Sequence, residues 1–131
     1  MLRLYTGIDL IEISRLQALA PAIRARFIQR VFTMREQQLA ADSDQFYAGR
    51  FAAKEAVAKA LGCGIGSLSW QEIEVDRDDQ SAPLLRLSGR AAARSSQLGI
   101  TQWSLSITHD HSHALASAVA LAEIPTEGAR P

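Results

Sequence analysis

The chain has 131 residues, of which 47% are apolar and 21% charged, and its 14 basic and 14 acidic side chains give a formal net charge of +0. This composition predicts one globular domain with a hydrophobic core, and the charge balance argues against a nucleic-acid partner. Cys63 is the only cysteine, which excludes an intramolecular disulfide and a zinc site made of cysteines. No apolar run approaches the roughly 18 residues of a membrane span, and no signal peptide is recognisable. We therefore expect a cytoplasmic protein with no membrane partner.

In the first part of the chain, the sequence predicts one strand followed by helices. The apolar run at residues 2–10 predicts a largely buried strand. Short helices are predicted over residues 15–20 and 21–30, with a proline at the boundary between them. Residues 33–36 have the spacing of a capping box that begins a third helix, and residues 42–45 repeat this spacing before a long central helix.

The central helix has the clearest periodicity in the chain. Its apolar positions recur with the spacing of a face that packs on a core, namely Ala53, Ala56, Val57, Ala60 and Leu61. Glu55 and Lys59 lie one turn apart on a different face. Residues 62–66 then form a glycine-rich loop that ends the helix and leaves the backbone open to a ligand.

The second half of the chain alternates strands with one further helix. Strands are predicted over residues 70–76, 84–87, 103–108 and 114–124, and a helix over residues 89–98. This order predicts an α+β fold in which helices pack on an antiparallel-dominated sheet.

The last predicted strand is apolar on both of its faces. A small domain has few layers with which to bury such a strand, so we expect another copy of the chain to cover its second face in a closed ring. The predicted single domain covers residues 1–124, and residues 125–131 are expected to form a flexible tail.

Two carboxylates stand in settings that suggest a metal ion. Asp9 interrupts an apolar strand, where a lone carboxylate is costly unless it is paired or binds a cation, although it could also cap the following helix. Glu55 could be an ordinary surface residue, but Lys59 and the glycine-rich loop follow it closely. Mg²⁺ takes oxygen ligands and keeps part of its shell for waters and substrate phosphate, and lysine is a good point-charge partner for phosphate. This group therefore predicts a metal-bridged pyrophosphate site.

The glycine-rich loop and the histidines each leave alternatives open. The loop, which contains Gly62 and Gly64, is neither a Walker loop nor a dinucleotide fingerprint, so it either faces a ligand or simply caps the helix. His109, His111 and His113 alternate and would share a face on an extended strand, as a metal site requires. The Asp and Ser between them favour a turn, which would scatter the three imidazoles.

Two further sets of residues are candidates for binding. Ser106, Thr108 and His109 lie where a strand passes into a turn, and we expect them to donate hydrogen bonds to phosphate. Residues 13–35 contain five arginines and no acidic residue. A basic surface on a neutral protein predicts an acidic partner, although a solvated helix face is the simpler alternative. The arginines expected to contact such a partner are Arg15, Arg24 and Arg26.

Three segments carry a resemblance to a known family. They are residues 7–10 (Gly-Ile-Asp-Leu), residues 50–56 (Arg-Phe-Ala-Ala-Lys-Glu-Ala) and residues 104–109 (Ser-Leu-Ser-Ile-Thr-His). With them, nearly the whole chain resembles the bacterial holo-[acyl-carrier-protein] synthases, the small type of 4′-phosphopantetheinyl transferase. The resemblance implies an enzyme of fatty acid biosynthesis that transfers the 4′-phosphopantetheine group of coenzyme A to a serine of apo acyl carrier protein. Adenosine 3′,5′-bisphosphate would be the other product.

The resemblance also implies roles for single residues. Asp9 and Glu55 would hold Mg²⁺, and Lys59 would neutralise phosphate charge. His109 would approach the nucleotide end of coenzyme A from a neighbouring subunit of a homotrimer. Acyl carrier proteins are acidic, so the arginine-rich segment at residues 13–35 would be the docking surface.

Two other classes of protein fit part of the pattern. A non-catalytic nucleotide-binding module would use Lys59 and the glycine-rich loop and would not need Asp9. A His-based metal-binding protein would use the three alternating histidines. The roles of His111 and His113 stay open, and so does the general base, for which Glu55 or a water on the metal could serve.

Overall fold

A computed structural model describes residues 1–125, and in that range the chain forms two antiparallel sheets and five helices. The strands are β1 (Leu2–Glu12), β2 (Ile73–Arg77), β3 (Pro83–Leu87), β4 (Ile100–His109) and β5 (His113–Glu123). The helices are α1 (Ser14–Gln17), α2 (Pro21–Val31), α3 (Met34–Ala40), α4 (Asp44–Ala60) and α5 (Gly89–Gln97). Short 3-10 turns at Ile65–Ser67 and Trp70–Glu72 connect α4 to β2. None of the described helices is long and apolar enough to cross a membrane.

The larger sheet is built around β5. Its strand order is β1-β5-β4, and both neighbours run antiparallel to β5. Leu2 lies opposite Glu123 and Glu12 lies opposite His113, so β1 pairs with β5 along its whole length. Strands β2 and β3 form a separate hairpin. The predicted α+β fold with an antiparallel-dominated sheet is therefore confirmed, while the predicted tail lies outside the described residues from position 126 onward.

Helix α4 packs on one face of this sheet through small side chains. The predicted apolar face of α4 is 0–3% exposed. The residues of β5 that point toward the helix are all alanine and fully buried, namely Ala114, Ala116, Ala118, Ala120 and Ala122. Because neither surface carries long side chains here, the helix and the sheet approach each other closely.

The opposite face of the larger sheet is uncovered in the single chain. Leu2, Leu4, Ile8 and Leu10 of β1 are 60–64% exposed, and Val119 of β5 is 39% exposed. The prediction of a largely buried strand is therefore wrong for one face of β1. The alternation of buried and exposed positions along β1 and β5 leaves an apolar stripe on this outer face, as the two-sided apolar pattern of β5 predicts.

Some element boundaries differ from the predictions. Helix α4 is capped by Ser43, whose hydroxyl accepts a hydrogen bond from the Phe46 N–H, rather than by Asp42. Asp42 adopts a left-handed conformation, with φ of 63°, and its carboxylate binds Arg24 instead. The strand predicted from residue 70 begins at Ile73, because the three residues before it form a 3-10 turn.

A fully buried ion pair connects α3, α4 and β2. Lys54 Nζ and Glu36 Oε1 are 2.8 Å apart, and both side chains are 0% exposed. Lys54 also donates hydrogen bonds to the carbonyls of Trp70 and Ile73, and Glu36 accepts one from the N–H of Val75. Burial lowers the pKa of Lys54, and the charge of Glu36 opposes that shift. A buried pair of this kind is stable only as long as both partners keep their hydrogen bonds.

Replacing Lys54 by Met should strongly destabilise the fold, because Glu36 would then be a buried carboxylate without a counter-charge. We expect the free energy of unfolding, measured by urea denaturation, to fall by about 3–5 kcal/mol. The double mutant Glu36→Gln/Lys54→Met should lose less than the sum of the two single mutants, because it leaves no buried charge behind. Additive losses would contradict this account.

Candidate active site

Asp9, Glu55 and Lys59 meet where α4 crosses β1. Asp9 occupies a half-buried position on the face of β1 that points toward α4, and Glu55 and Lys59 lie one turn apart on the helix. The ammonium of Lys59 donates to Asp9 Oδ1 at 3.1 Å and to the Ile8 carbonyl at 2.9 Å. The structure therefore brings together three predicted site residues from two elements that are far apart in the chain.

Gly7 determines how close α4 lies to this part of β1. A Cβ atom at Gly7 would be 1.8 Å from the carbonyl oxygen of Ala56 and 3.0 Å from the backbone nitrogen of Ala60. No side chain fits in that space, because both neighbouring atoms belong to the helix backbone. Gly7 and Asp9 lie on the same face of the strand, so this contact fixes the height of the helix above the Asp9 carboxylate.

The electrostatics of this region fit a cation. Burial raises the pKa of Glu55, the nearby charge of Asp9 raises it further, and Lys59 acts in the opposite direction. A divalent cation between the two carboxylates would remove the repulsion between them. Mg²⁺ suits such a site, because it is usually bound by one or two carboxylates and fills its remaining positions with water and substrate phosphate.

A pocket of about 650 Å³ extends from these residues. Its lining combines the three charged side chains with an apolar wall made of Leu16, Leu19, Phe27 and Phe51. Arg15, Glu12 and His113 also line it. A pocket of this composition suits a ligand that has a charged phosphate end and a less polar arm.

Sequence reasoning missed the apolar wall and two polar residues of this pocket. Phe27 and Phe51 are in contact, with ring centroids 5.4 Å apart. Phe51 precedes Glu55 by one helical turn, and that spacing is the signal from which it could have been found. Glu12 and His113 lie opposite each other where β1 ends and β5 begins, and this proximity depends on strand pairing.

The predicted phosphate ligands on β4 lie elsewhere in the single chain. Ser106 and Thr108 are exposed on the outer face of the sheet, and β5 separates their strand from β1. His109 points to the other face and lines a second cavity of about 360 Å³, together with Arg50 and Phe46 of α4. One chain alone therefore does not bring these residues to the Asp9 carboxylate.

The glycine-rich loop continues directly from the helix that carries Lys59. Gly62 has a φ of 71°, a conformation that favours glycine, and its N–H donates to the carbonyl of Lys59. The guanidinium of Arg94 donates to the carbonyl of Leu61 and so holds the end of the helix. Gly64 is exposed, and a Cβ atom there would meet nothing within 4 Å. The loop thus acts as a helix C-cap, and the backbone at Gly64 is open.

The arginines of residues 13–35 have different environments. Arg24 is bound to the carboxylates of Asp42 and Asp44 at 2.8 and 2.7 Å, and its side chain is only 21% exposed. The structure therefore places Arg24 in an intrachain ion-pair group, which does not agree with its predicted docking role. Arg15 and Arg26 are exposed and fit that role better.

The three alternating histidines do not form a metal site. His109 and His113 line different pockets, and His111 is exposed in the turn between them. Within residues 1–125, no group of three or more His, Cys, Asp or Glu side chains is arranged to hold a metal ion. The predicted turn scatters the imidazoles, so the rival hypothesis of a His-based metal site has no support in the described residues.

Comparison with known proteins identifies the family. Residues 5–117 match the family model of the 4′-phosphopantetheinyl transferase superfamily. A holo-[acyl-carrier-protein] synthase of Herpetosiphon aurantiacus is 45% identical over 125 residues, which cover 90% of this chain and 98% of that relative. The chain belongs to the 4′-phosphopantetheinyl transferase superfamily.

Other holo-[acyl-carrier-protein] synthases agree with this assignment. The relative from Chloroflexus aurantiacus is 44% identical, with 91% of this chain and 98% of that protein covered. The Helicobacter pylori synthase, solved in complex with coenzyme A, superposes with a TM-score of 0.79 at 34% identity and covers 88% of this chain and 98% of that one. The resemblance seen in the sequence is confirmed.

In this member of the superfamily, Gly7→Ala should damage the active site through the backbone of α4. The added methyl group would push the helix away from β1, so we expect a loss of activity of more than tenfold and a lower melting temperature. Gln80→Ala is the control, because Gln80 is exposed in the β2–β3 turn, away from the pocket. Equal activity of the two variants would show that the close contact at Gly7 is not required.

Proposed function

We propose that this chain transfers the 4′-phosphopantetheine group of coenzyme A to a serine hydroxyl of apo acyl carrier protein and releases adenosine 3′,5′-bisphosphate. The observation that carries the proposal is the meeting of Asp9, Glu55 and Lys59 beside a pocket with an apolar wall. Membership of the superfamily supports it, as does the coenzyme A in the Helicobacter pylori relative. A role in fatty acid biosynthesis and a cytoplasmic location stay predictions.

Neutralisation of phosphate charge is the first task of the proposed site. Asp9 and Glu55 would hold Mg²⁺, which supplies positive charge to the pyrophosphate of coenzyme A when bound. The side chain of Lys59 is 53% exposed, so its ammonium has room to reach phosphate oxygens next to the carboxylates. There it stabilises the negative charge that the leaving bisphosphate gains.

Positioning of the reacting groups is the second task. The serine oxygen must attack the β-phosphorus in line with the bond that breaks, and a site that holds both reactants removes most of the entropic cost of their encounter. The apolar wall of Phe27, Phe51 and their neighbours would hold the pantetheine arm. Gly62 and Gly64 would leave space for the phosphates at the end of α4.

The metal assignment is tested with coenzyme A, apo acyl carrier protein and Mg²⁺, followed by mass spectrometry of the carrier. Asp9→Ala and Glu55→Ala should each lower the transfer rate by at least a hundredfold while the protein stays folded, because each removes a ligand from one cation. The double mutant should be little worse than either single mutant. Asp79→Asn, which changes an exposed carboxylate in the β2–β3 turn, is the control. Undiminished transfer in EDTA would refute the metal role.

We infer that the enzyme is a homotrimer with active sites shared between subunits. The apolar stripe on the outer face of the sheet needs cover, and Ser106 and Thr108 of β4 lie on that same face. Across a subunit interface, these hydroxyls would reach the nucleotide end of coenzyme A bound at the Asp9 and Glu55 of a neighbour. His109 points to the other face but is the last residue of β4, so it would reach the same ligand from the end of the strand. A closed ring would cover every copy of the stripe.

Sharing of the site predicts complementation between inactive variants. His109→Ala and Glu55→Ala chains are unfolded together and reassembled in equal amounts. About a quarter of the interfaces should then combine an intact Glu55 from one chain with an intact His109 from its neighbour and regain activity. The activity of the mixture is compared with that of each variant reassembled alone. A fully active monomer, identified by light scattering at assay concentration, would refute the shared site.

Docking of the acidic carrier is assigned to Arg15 and Arg26. Charge reversal at Arg26 should raise the KM for the carrier about tenfold and leave the KM for coenzyme A unchanged, because Arg26 is exposed and does not line the pocket. Charge reversal at Arg15, which also lines the pocket, should raise both KM values. Arg24→Glu is the informative comparison, since its ion pairs with Asp42 and Asp44 predict lower stability rather than weaker docking. A KM for the carrier that does not change with added salt would count against this surface.

A further inference from the structure

His113 is a residue of the main pocket that the metal and lysine chemistry does not use. It is half-buried and lines the same pocket as Asp9, Glu55 and Lys59. It lies at the first position of β5, directly after the turn from β4, and opposite Glu12 of β1. The turn is attached to the end of β1 by a hydrogen bond from the Ile13 N–H to the Ser112 carbonyl.

The turn before His113 is organised by one carboxylate. Asp110 Oδ1 accepts hydrogen bonds from the N–H of Ser112 at 2.8 Å, the N–H of His113 at 2.8 Å and the hydroxyl of Ser112 at 3.0 Å. The N–H of His113 contributes most to lowering the pKa of Asp110 to about 2, followed by the two donors of Ser112. Asp110 is therefore ionised at neutral pH and is only an acceptor.

This arrangement decides which nitrogen of His113 carries the proton. Ser112 Oγ is 2.9 Å from His113 Nδ1 as well as 3.0 Å from Asp110 Oδ1. A hydroxyl has one hydrogen, and a carboxylate is a stronger acceptor than a neutral imidazole, so Ser112 donates to Asp110. The oxygen of Ser112 must then accept a hydrogen bond from Nδ1–H of His113. In neutral His113 this leaves Nε2 without a proton and with a free lone pair.

We propose that Nε2 of His113 accepts the proton of the carrier serine during transfer, with Ser112 and Asp110 as residues that position the imidazole. This inference rests on the proposed function, because it concerns the same pocket and the same reaction. It assigns the general base, which the sequence alone leaves open.

The proton and electron balance of the step is complete. The serine oxygen forms a bond to the β-phosphorus of coenzyme A while its proton passes to Nε2 of His113. The bond from that phosphorus to the bridging oxygen breaks, and the electron pair leaves with adenosine 3′,5′-bisphosphate. The resulting imidazolium still donates its Nδ1–H to Ser112, and Ser112 donates to Asp110. The negative charge of Asp110 is therefore connected to the ring by two hydrogen bonds. Release of the proton to water restores neutral His113.

The other polar groups around the pocket are less suited to accept the serine proton. Asp9 and Glu55 are assigned to the metal ion, and Lys59 and Arg15 are cations that donate hydrogen bonds. Glu12 lines the pocket opposite His113, but a carboxylate is an intrinsically weaker base than an imidazole. His113 thus combines access to the pocket with a nitrogen that is held ready to accept a proton.

The tautomer is tested directly by NMR. In protein labelled with ¹⁵N-histidine, long-range proton–nitrogen spectra should show Nδ1 of His113 protonated and Nε2 with a free lone pair at a pH where the ring is neutral. Ser112→Ala should shift the tautomer toward protonated Nε2, while His111→Ala, which changes an exposed residue of the same turn, should leave it unchanged. A protonated Nε2 in the unmodified protein would overturn the proposal. This readout needs no substrate, so it is independent of the proposed function.

The role in transfer is tested by kinetics with coenzyme A, Mg²⁺ and apo acyl carrier protein. His113→Gln should lower kcat by about 10²- to 10⁴-fold with little change in either KM, as expected for loss of a general base. Ser112→Ala should lower kcat by about 3- to 10-fold, the loss expected for one hydrogen bond. His111→Ala should retain full activity. Added imidazole should restore part of the kcat of His113→Ala.

The outcomes separate the inference from the proposed function. A folded His113→Gln protein whose kcat is within about twofold of the unmodified enzyme would overturn the role of His113 as a base. A defect confined to the KM for the carrier would overturn it as well, because it would show a docking contact instead. If the unmodified chain itself transfers nothing to the carrier, the proposed function fails, and the kinetic part of the inference fails with it.

Discussion

The contact between the backbone of α4 and β1 at Gly7 is the constraint on which the rest of the structure depends. It sets the distance at which Glu55 and Lys59 stand above Asp9. The alanines of β5 and the alanine-rich face of α4 extend the same close packing across the sheet. Because so little side-chain volume lies between helix and strand, a change of one methyl group at this contact moves the charged residues. The geometry of the candidate active site is thus a consequence of core packing.

The buried pair of Lys54 and Glu36 controls a second degree of freedom of α4, its rotation about its own axis. Lys54 immediately precedes Glu55, so a helix that directs Lys54 toward β2 must direct Glu55 toward the pocket. The carbonyls of Trp70 and Ile73 hold the ammonium in place. Gly7 therefore limits how far α4 can move relative to β1, and the Lys54–Glu36 ion pair limits the rotation of α4 about its axis.

The sequence allowed the first strand and the central helix to be predicted, because hydrophobic periodicity is a local property. The meeting of Asp9 with Glu55 and Lys59 joins distant segments, and it was predicted from the unusual setting of each carboxylate and from the family resemblance. The local pattern carries no information where the answer depends on distant contacts. Arg24 was assigned to a partner because the carboxylates that bind it follow in a later segment of the chain. The separation of Ser106 and Thr108 from Asp9 depends on strand order and on the face of each residue, neither of which is local. His113 enters the pocket only through the pairing of β5 with β1.

Glu55 places a limit on the stability of the fold. Burial and the charge of Asp9 raise its pKa above the ordinary value of 4.5, so the folded chain binds this proton more tightly than the unfolded chain does. Without a bound cation, stability therefore declines as the pH rises from that value through the raised pKa of the folded chain, and it stays at the lower level above that pKa. A neutral side chain of the same shape would give a more robust protein. Because Glu55 is also a proposed metal ligand, stability and the proposed catalysis make opposite demands on this one carboxylate.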